Sequence, residues 1–164
     1  MDQNTSSLPA SSRTNVLIRP ARHSDISAVA LLDASISAGG QPRAGYFEER
    51  LALIGRSDTD QQLIFLVADS HDRIVGFVMG TLTGGQFDPA QITAVIDSIA
   101  VDPEYRHQQH IGRRLIEAFL SRSAALGAKV AYTLVQWENW ELLKVFHALG
   151  FSMPSTIPLE RKIG

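Results

Sequence analysis

Ile96-Asp97-Ser98-Ile99-Ala100-Val101-Asp102-Pro103 runs directly into Glu104-Tyr105-Arg106-His107-Gln108-Gln109-His110-Ile111-Gly112-Arg113-Arg114-Leu115. Residues 92–101 are rich in β-branched types and Pro103 closes them, which reads as a strand. From Ile111 the apolar residues fall at Ile111, Leu115 and Phe119, with Ile116, Ala118 and Leu120 beside them, a helical stripe. A polar loop therefore delivers a helix N-terminus to the end of a buried strand. The free backbone N–H groups there form an anion site. Arg113 and Arg114 in the first turn oppose the helix dipole unless an anion binds. They are either two solvated arginines or partners of a phosphate.

Outward from this stretch, the chain reads as alternating short strands and helices. Val16–Pro20 is a short strand, and Ser24 or Asp25 can cap a helix with apolar positions Ile26, Val29, Ala30, Leu32 and Ile36. Gly39-Gly40-Gln41-Pro42 breaks it, and a second helix is expected from Arg43 to about Ile54. Leu63 to Ala68 is an unbroken apolar run, hence a strand covered on both faces, and Ile74 to Leu82 is its hairpin return across Ser70-His71-Asp72. After the helix from Ile111 to about Leu126, Gly127 serves as the C-terminal stop, and Val130 to Val135 is another strand. Asn139 caps a short helix that turns Leu142, Val145, Phe146 and Leu149 inward. Ile157 to Ile163 reads as a last strand, with Pro158 marking an edge.

Composition narrows the class. The chain has 164 residues, 45% hydrophobic and 20% charged, the mix of an ordinary globular protein. Residues 1–13 are polar and Ser-rich and read as a disordered tail, leaving residues 14–164 as one domain. A net charge of -2 supplies no field for nucleic acid or an anionic membrane, so neither is expected as a partner. No apolar run is long enough to span a bilayer. There is no cysteine, which removes disulfides, thiolate metal sites and a thiol nucleophile and is compatible with a cytoplasmic protein. His107 and His110 have no third ligand in sequence, so no metal site is expected.

The order β-α-α-β-β-β-α-β-α-β implies an α/β fold: a central mixed sheet with helices on both faces. Two segments then carry a resemblance. Val101 to Arg106 followed by Ile111 to Leu115 resembles the acetyl-CoA segment of the GNAT superfamily of N-acetyltransferases. The family signature is Gln/Arg-x-x-Gly-x-Gly/Ala; here Gly112 keeps the second glycine, while His110 and His107 stand at the other two positions. Asn139 to Phe151 resembles the family pattern Asn-x-x-Ala-x-x-Leu-Tyr-x-x-x-Gly-Phe, with Phe146 in place of the tyrosine.

The resemblance implies acetyl-CoA as cofactor and a primary amine of a small molecule or peptide as acceptor. It implies that the backbone of Ile99, Ala100 and Val101 pairs with the pantetheine arm. It places the pyrophosphate on His107, Gln108, Gln109, His110, Ile111, Gly112 and Arg113. Asn139 matches a position that reaches the cofactor, and it is equally a helix cap. Phe146 is either a wall of the thioester site or plain core. Where many relatives protonate the leaving thiolate with tyrosine, Phe146 cannot, although a thiol of pKa about 8.5 leaves tolerably unaided.

Asp97 is the candidate general base. Strict alternation puts Thr93, Val95, Asp97, Ile99 and Val101 on one face, where a carboxylate would be costly unless bonded and its pKa raised. The competing reading is a structural tie. Tyr46 and Glu48 lie where the family has its substrate-side helix, and are otherwise an ordinary solvated face. Trp137 and Trp140 are candidates for the acceptor groove or for a contact in a homodimer. Two functions follow: an N-acetyltransferase, or an acyl-CoA-binding sensor or interaction module that kept the fold with little or no turnover.

Overall fold

Alternation and apolar runs are realised as one five-stranded sheet, seen in a computed structural model that describes residues 15–36, 40–54, 61–84, 91–106, 110–155 and 161–162. The strands are β1 (Val16–Pro20), β2 (Gln61–Ser70), β3 (Arg73–Gly84), β4 (Ile92–Val101) and β5 (Val130–Thr133), lying side by side in that order. The first three pairings are antiparallel and β4–β5 is parallel. The β2–β3 hairpin turns on His71 and Asp72, both with positive φ, and the Asp69 carboxylate accepts the Asp72 N–H at 2.9 Å. A short polar side chain bonded this way makes the left-handed turn affordable without glycine.

Helices cover both faces, because the unbroken apolar strands need two partners. The helices α1 (Ile26–Ile36) and α2 (Ala44–Leu51) close one face, where the rings of Phe47, Phe65 and Phe77 pack with centroids 5.5 to 6.1 Å apart. On the opposite face, α3 (Ile111–Ala125) and α4 (Trp140–Ala148) bury Ile111, Leu115, Phe119 and Phe146 against Val75, Val78, Ala94 and Ile96. Gly127 ends α3 with φ of 93° as expected of a C-terminal stop. Helix α2 is shorter than its periodicity predicts, giving way to a turn after Leu51. The expected tail at 1–13 and most of the expected strand at 157–163 lie outside the described residues.

One expectation is corrected. Ile96 pairs with Gly80 and Ser98 with Met79, so Asp97 is the extra residue of a β-bulge. Alternation breaks there. Ala94 and Ile96 face α3, and beyond the bulge Ile99 and Val101 take that face, so Thr93, Val95 and Asp97 do not share a side with them. The strand opposite shows the close fit. A Cβ on Gly80 would collide with the Val95 carbonyl oxygen and come within 2.7 Å of the Phe119 ring. Only glycine allows β3 to pass that point.

Candidate active site

The β4–β5 ladder runs from Thr93↔Val130 to Ile96↔Thr133 and stops, while β4 continues to Val101. Among the described residues, no strand pairs with that edge of β4 past Ile96. The gap opens a groove of about 360 Å³. Its walls include Ile99, Ala100 and Val101 from β4, Tyr105 and Arg106, His110 to Arg113 from the start of α3, and Asn139, Glu141, Leu142 and Val145 from α4. Of the residues expected to meet the cofactor, Ile99 to Val101, His110 to Arg113 and Asn139 come together here, Phe146 does not line the groove, and His107, Gln108 and Gln109 lie outside the described residues.

Local chemistry explains the groove's floor. The Asp102 carboxylate caps the turn at Pro103–Tyr105 by accepting the Glu104 N–H at 2.9 Å. Arg73 reaches over from the hairpin to bond Asp102 at 2.8 Å and lies 5.3 Å from the Tyr105 ring centroid. His110 takes a left-handed φ of 51° and turns the chain into α3. The N–H groups of Ile111, Gly112 and Arg113 precede the first intrahelical bond, made by Arg114 N–H to the His110 carbonyl at 3.0 Å. The two arginines of this turn separate in role. Arg114 donates to the Val16 carbonyl at 2.7 Å and ties α3 to β1, whereas Arg113 pairs with Glu117 at 2.8 Å on the surface and lines the groove. Asn139 does both things expected of it in space, accepting the Leu142 N–H at 3.2 Å as a cap while lining the groove.

Phe146 lies in the core, not on the groove wall. It is 3% exposed and stacks edge-to-face on Phe151 at 4.9 Å. Its position on α4 turns it toward the sheet, while Leu142 and Val145 take the groove side. Tyr46 is half-buried and packs on Phe47, and Glu48 is exposed; neither lines a cavity described here. Trp137 and Trp140 are exposed.

A second cavity, of about 240 Å³, adjoins the first at the point where β4 and β5 part. Ile36, Ile99 and Leu142 line both, so the two form one path. The second is also lined by Asp33, Arg43, Ile96, Asp97, Ser98, Thr133 and Leu134. Asp97 stands here on its bulge, its carboxylate accepting from the Thr81 hydroxyl at 3.4 Å. Loss of water among the cavity walls pushes its pKa up, against the pull of Arg50 and the Thr81 hydrogen bond. Asp33 and Arg43 went unmarked in the sequence reading. Their pairing joins α1 to the start of α2, and nothing in the spacing of residues 33 and 43 announces it.

An unpaired strand edge, a helix start that carries arginine and a carboxylate with a raised pKa thus lie along one connected path. Residues 30–151 match the acetyltransferase (GNAT) family. The chain belongs to that family and is an acyltransferase by class. Its fold is shared by a transcriptional regulator from Bacillus halodurans C-125, with TM-score 0.74, 20% identity, and 91% of this chain and 100% of that one covered. Glucosamine-6-phosphate N-acetyltransferase from Arabidopsis thaliana gives 0.71 and 16%, over 92% and 99%. The aminoglycoside N-acetyltransferase AAC(6')-Iy in complex with CoA gives 0.74 and 21%, over 95% and 99%. No curated protein sequence matches the chain. No described helix is long and apolar enough to cross a membrane.

The groove fits the cofactor that the family uses. Its cations Arg106 and Arg113 and the first-turn N–H groups gather at one end, and a Cβ on Gly112 would meet nothing nearer than the Val101 side chain at 3.6 Å. That leaves room for phosphate oxygens close to the backbone.

Proposed function

We propose that this protein is an N-acetyltransferase that moves an acetyl group from acetyl-CoA to a primary amine of a small molecule or peptide, with residues 14–164 as its single catalytic domain. One observation carries the reading: among the described residues, the edge of β4 left unpaired past Ile96 lines one path with the N–H groups at the start of α3 and with Asp97. When bound, acetyl-CoA supplies an activated thioester. The backbone of Ile99 to Val101 would hold its extended arm as a strand edge, and the amides of Ile111 to Arg113 its pyrophosphate. Ile36, Ile99 and Leu142 line the passage where the two cavities join. Asp97, its pKa lifted toward the working range, accepts the proton of the incoming amine directly or through water. Buried Phe146 offers no acid, so the thiolate would depart on its own modest basicity. The absence of cysteine from the sequence fits a cytoplasmic setting.

Release of free thiol from acetyl-CoA across a panel of amines tests the reading. Amine-dependent release is the expected result. Tight CoA binding by calorimetry with no release for any amine would favour the acyl-CoA-binding module instead.

A further inference from the structure

We propose that the second cavity takes an amine that also carries an acid group, the acid held by Arg43 and the amine delivered to Asp97; this rests on the acetyltransferase reading above. Arg43 is fixed on three sides. Its Nε and Nη2 donate to the two oxygens of Asp33 at 2.9 and 3.0 Å. Its guanidinium lies 5.0 Å from the Tyr46 ring centroid and 5.8 Å from that of Phe47. Asp33 is only 5% exposed, so it cannot swing out to release the pair.

A guanidinium has five N–H donors, and this pairing engages one edge. The side chain of Arg43 is 49% exposed and lines the cavity. Among the described residues, no hydrogen-bond acceptor meets its Nη1. The guanidinium is held in place by Asp33 and keeps N–H donors beyond that pairing, and a planar guanidinium suits binding of a carboxylate or phosphate. Because Asp33 already balances one positive charge, a second cation matters. Arg50, 5.4 Å from the same Tyr46 ring, adds positive field beside the cavity without lining it, and that field also reaches Asp97. The rest of the lining is mixed, with Ile36, Ile96, Ile99, Leu134 and Leu142 beside Ser98 and Thr133. The cavity therefore holds guanidinium donors and a separate carboxylate within one lining of small polar and aliphatic groups. A polycation would meet Arg43 and Arg50 unfavourably; a short chain with an amine at one end and an acid at the other meets a complement at each end.

Three probes decide it by calorimetry on the CoA-loaded protein: 4-aminobutyrate, O-phosphoethanolamine and 1-aminobutane. At least one acid-bearing probe is expected to bind about tenfold or more tighter than 1-aminobutane, as charge-assisted hydrogen bonds require. Which of the two binds better tells carboxylate from phosphate. Equal binding of all three overturns the proposal. Arg43→Met leaves Asp33 buried without a partner and is a poor test if it unfolds, so the double variant Asp33→Asn/Arg43→Gln is the working one. It replaces the ion pair by a neutral hydrogen-bonded pair, and the advantage of the acid-bearing probe should collapse. A folded double variant that keeps the advantage also overturns the proposal. Turnover separates the two levels of inference. An acid-dependent binding advantage without thiol release supports this subsite and sinks the acetyltransferase reading. Thiol release with equal kcat/KM for 4-aminobutyrate, O-phosphoethanolamine and 1-aminobutane sinks the subsite alone.

Discussion

Among the described residues, two aspartates are buried beside arginines, Asp25 and Asp33, and the surroundings of the arginines differ. At the end of β1, Arg19 is closed in: Nε donates to Asp69 at 2.9 Å, and Nη1 and Nη2 donate to Asp25 at 2.7 and 2.9 Å. Its side chain is 14% exposed, and the backbone N–H of Arg22 adds a further bond to Asp25 at 2.7 Å. At the second cavity, Arg43 engages one carboxylate through one edge and leaves the rest half open. Both pairs join elements distant in the fold. Only the open one keeps donors for a ligand. A closed arginine cluster is a structural tie; a half-open one beside a cavity is a tie and a binding group at once.

Breaking the closed cluster should have the largest effect. Arg19→Met keeps the apolar stem but strands two carboxylates, and is expected to cost about 3–5 kcal/mol, read as a lower urea midpoint at unchanged slope. The same variant should change the response to acid. Burial alone would push the Asp25 pKa up, but the bonds from Arg19 and from the Arg22 N–H hold it below its ordinary value. Its stabilising contribution is then complete above the unfolded carboxylate value of about 3.9, and is lost as pH falls from there through the lower folded value. Without Arg19 that reserve is gone, and acid unfolding should begin at higher pH.

Asp97 extends the comparison to an exposed carboxylate at a cavity edge with no arginine hydrogen-bonded to it. Asp97→Asn is expected to lower the pH-independent rate by about 10²-fold or more while leaving CoA affinity nearly unchanged. The parent should show an acidic limb above the usual carboxylate range, because desolvation raises this pKa, and the variant should lack it. A variant that folds, binds CoA and turns over like the parent would make Asp97 a tie like Asp25.

Arg43→Met should cost less than Arg19→Met, about 1–2 kcal/mol in thermal or urea unfolding, since water reaches the pair. Equal losses at the two sites would erase the distinction between closed and open. The smallest stability effect belongs to Arg113, whose partner Glu117 is a surface neighbour one helical turn on. Arg113→Gln should change stability by less than about 0.5 kcal/mol, yet weaken CoA binding by about tenfold if the phosphates sit at the α3 start.

Much of this architecture is legible in residue order because it rests on short-range rules. The positive φ of Gly127, the Asn139 cap on the Leu142 N–H and the placement of Pro103 just past β4 are decided within three or four residues of themselves. The apolar run at 63–68 needs no partner to announce a strand buried on both faces. For the same reason the lining of the larger groove was largely visible: it comes from one contiguous strand, loop and helix, completed by a second short segment at 139–145.

The second cavity and its lining were decided by tertiary structure. Alternation assumes an uninterrupted ladder, and the bulge at Asp97 arises from how β4 registers against Gly80 of β3, where the Val95 carbonyl and the Phe119 ring leave no space for a side chain. Phe146 sits at a motif position, but its burial against Phe151 depends on how α4 lies on the sheet. The Asp33–Arg43 pair forms only once α1 and α2 pack on the same face, and its value to a ligand depends on a cavity opened by the early end of β5. Periodicity and capping are properties of neighbours along the chain and are written in residue order. Register, cavities and the orientation of a charged pair are set by backbone segments meeting in space, and those meetings follow the packing of the whole core.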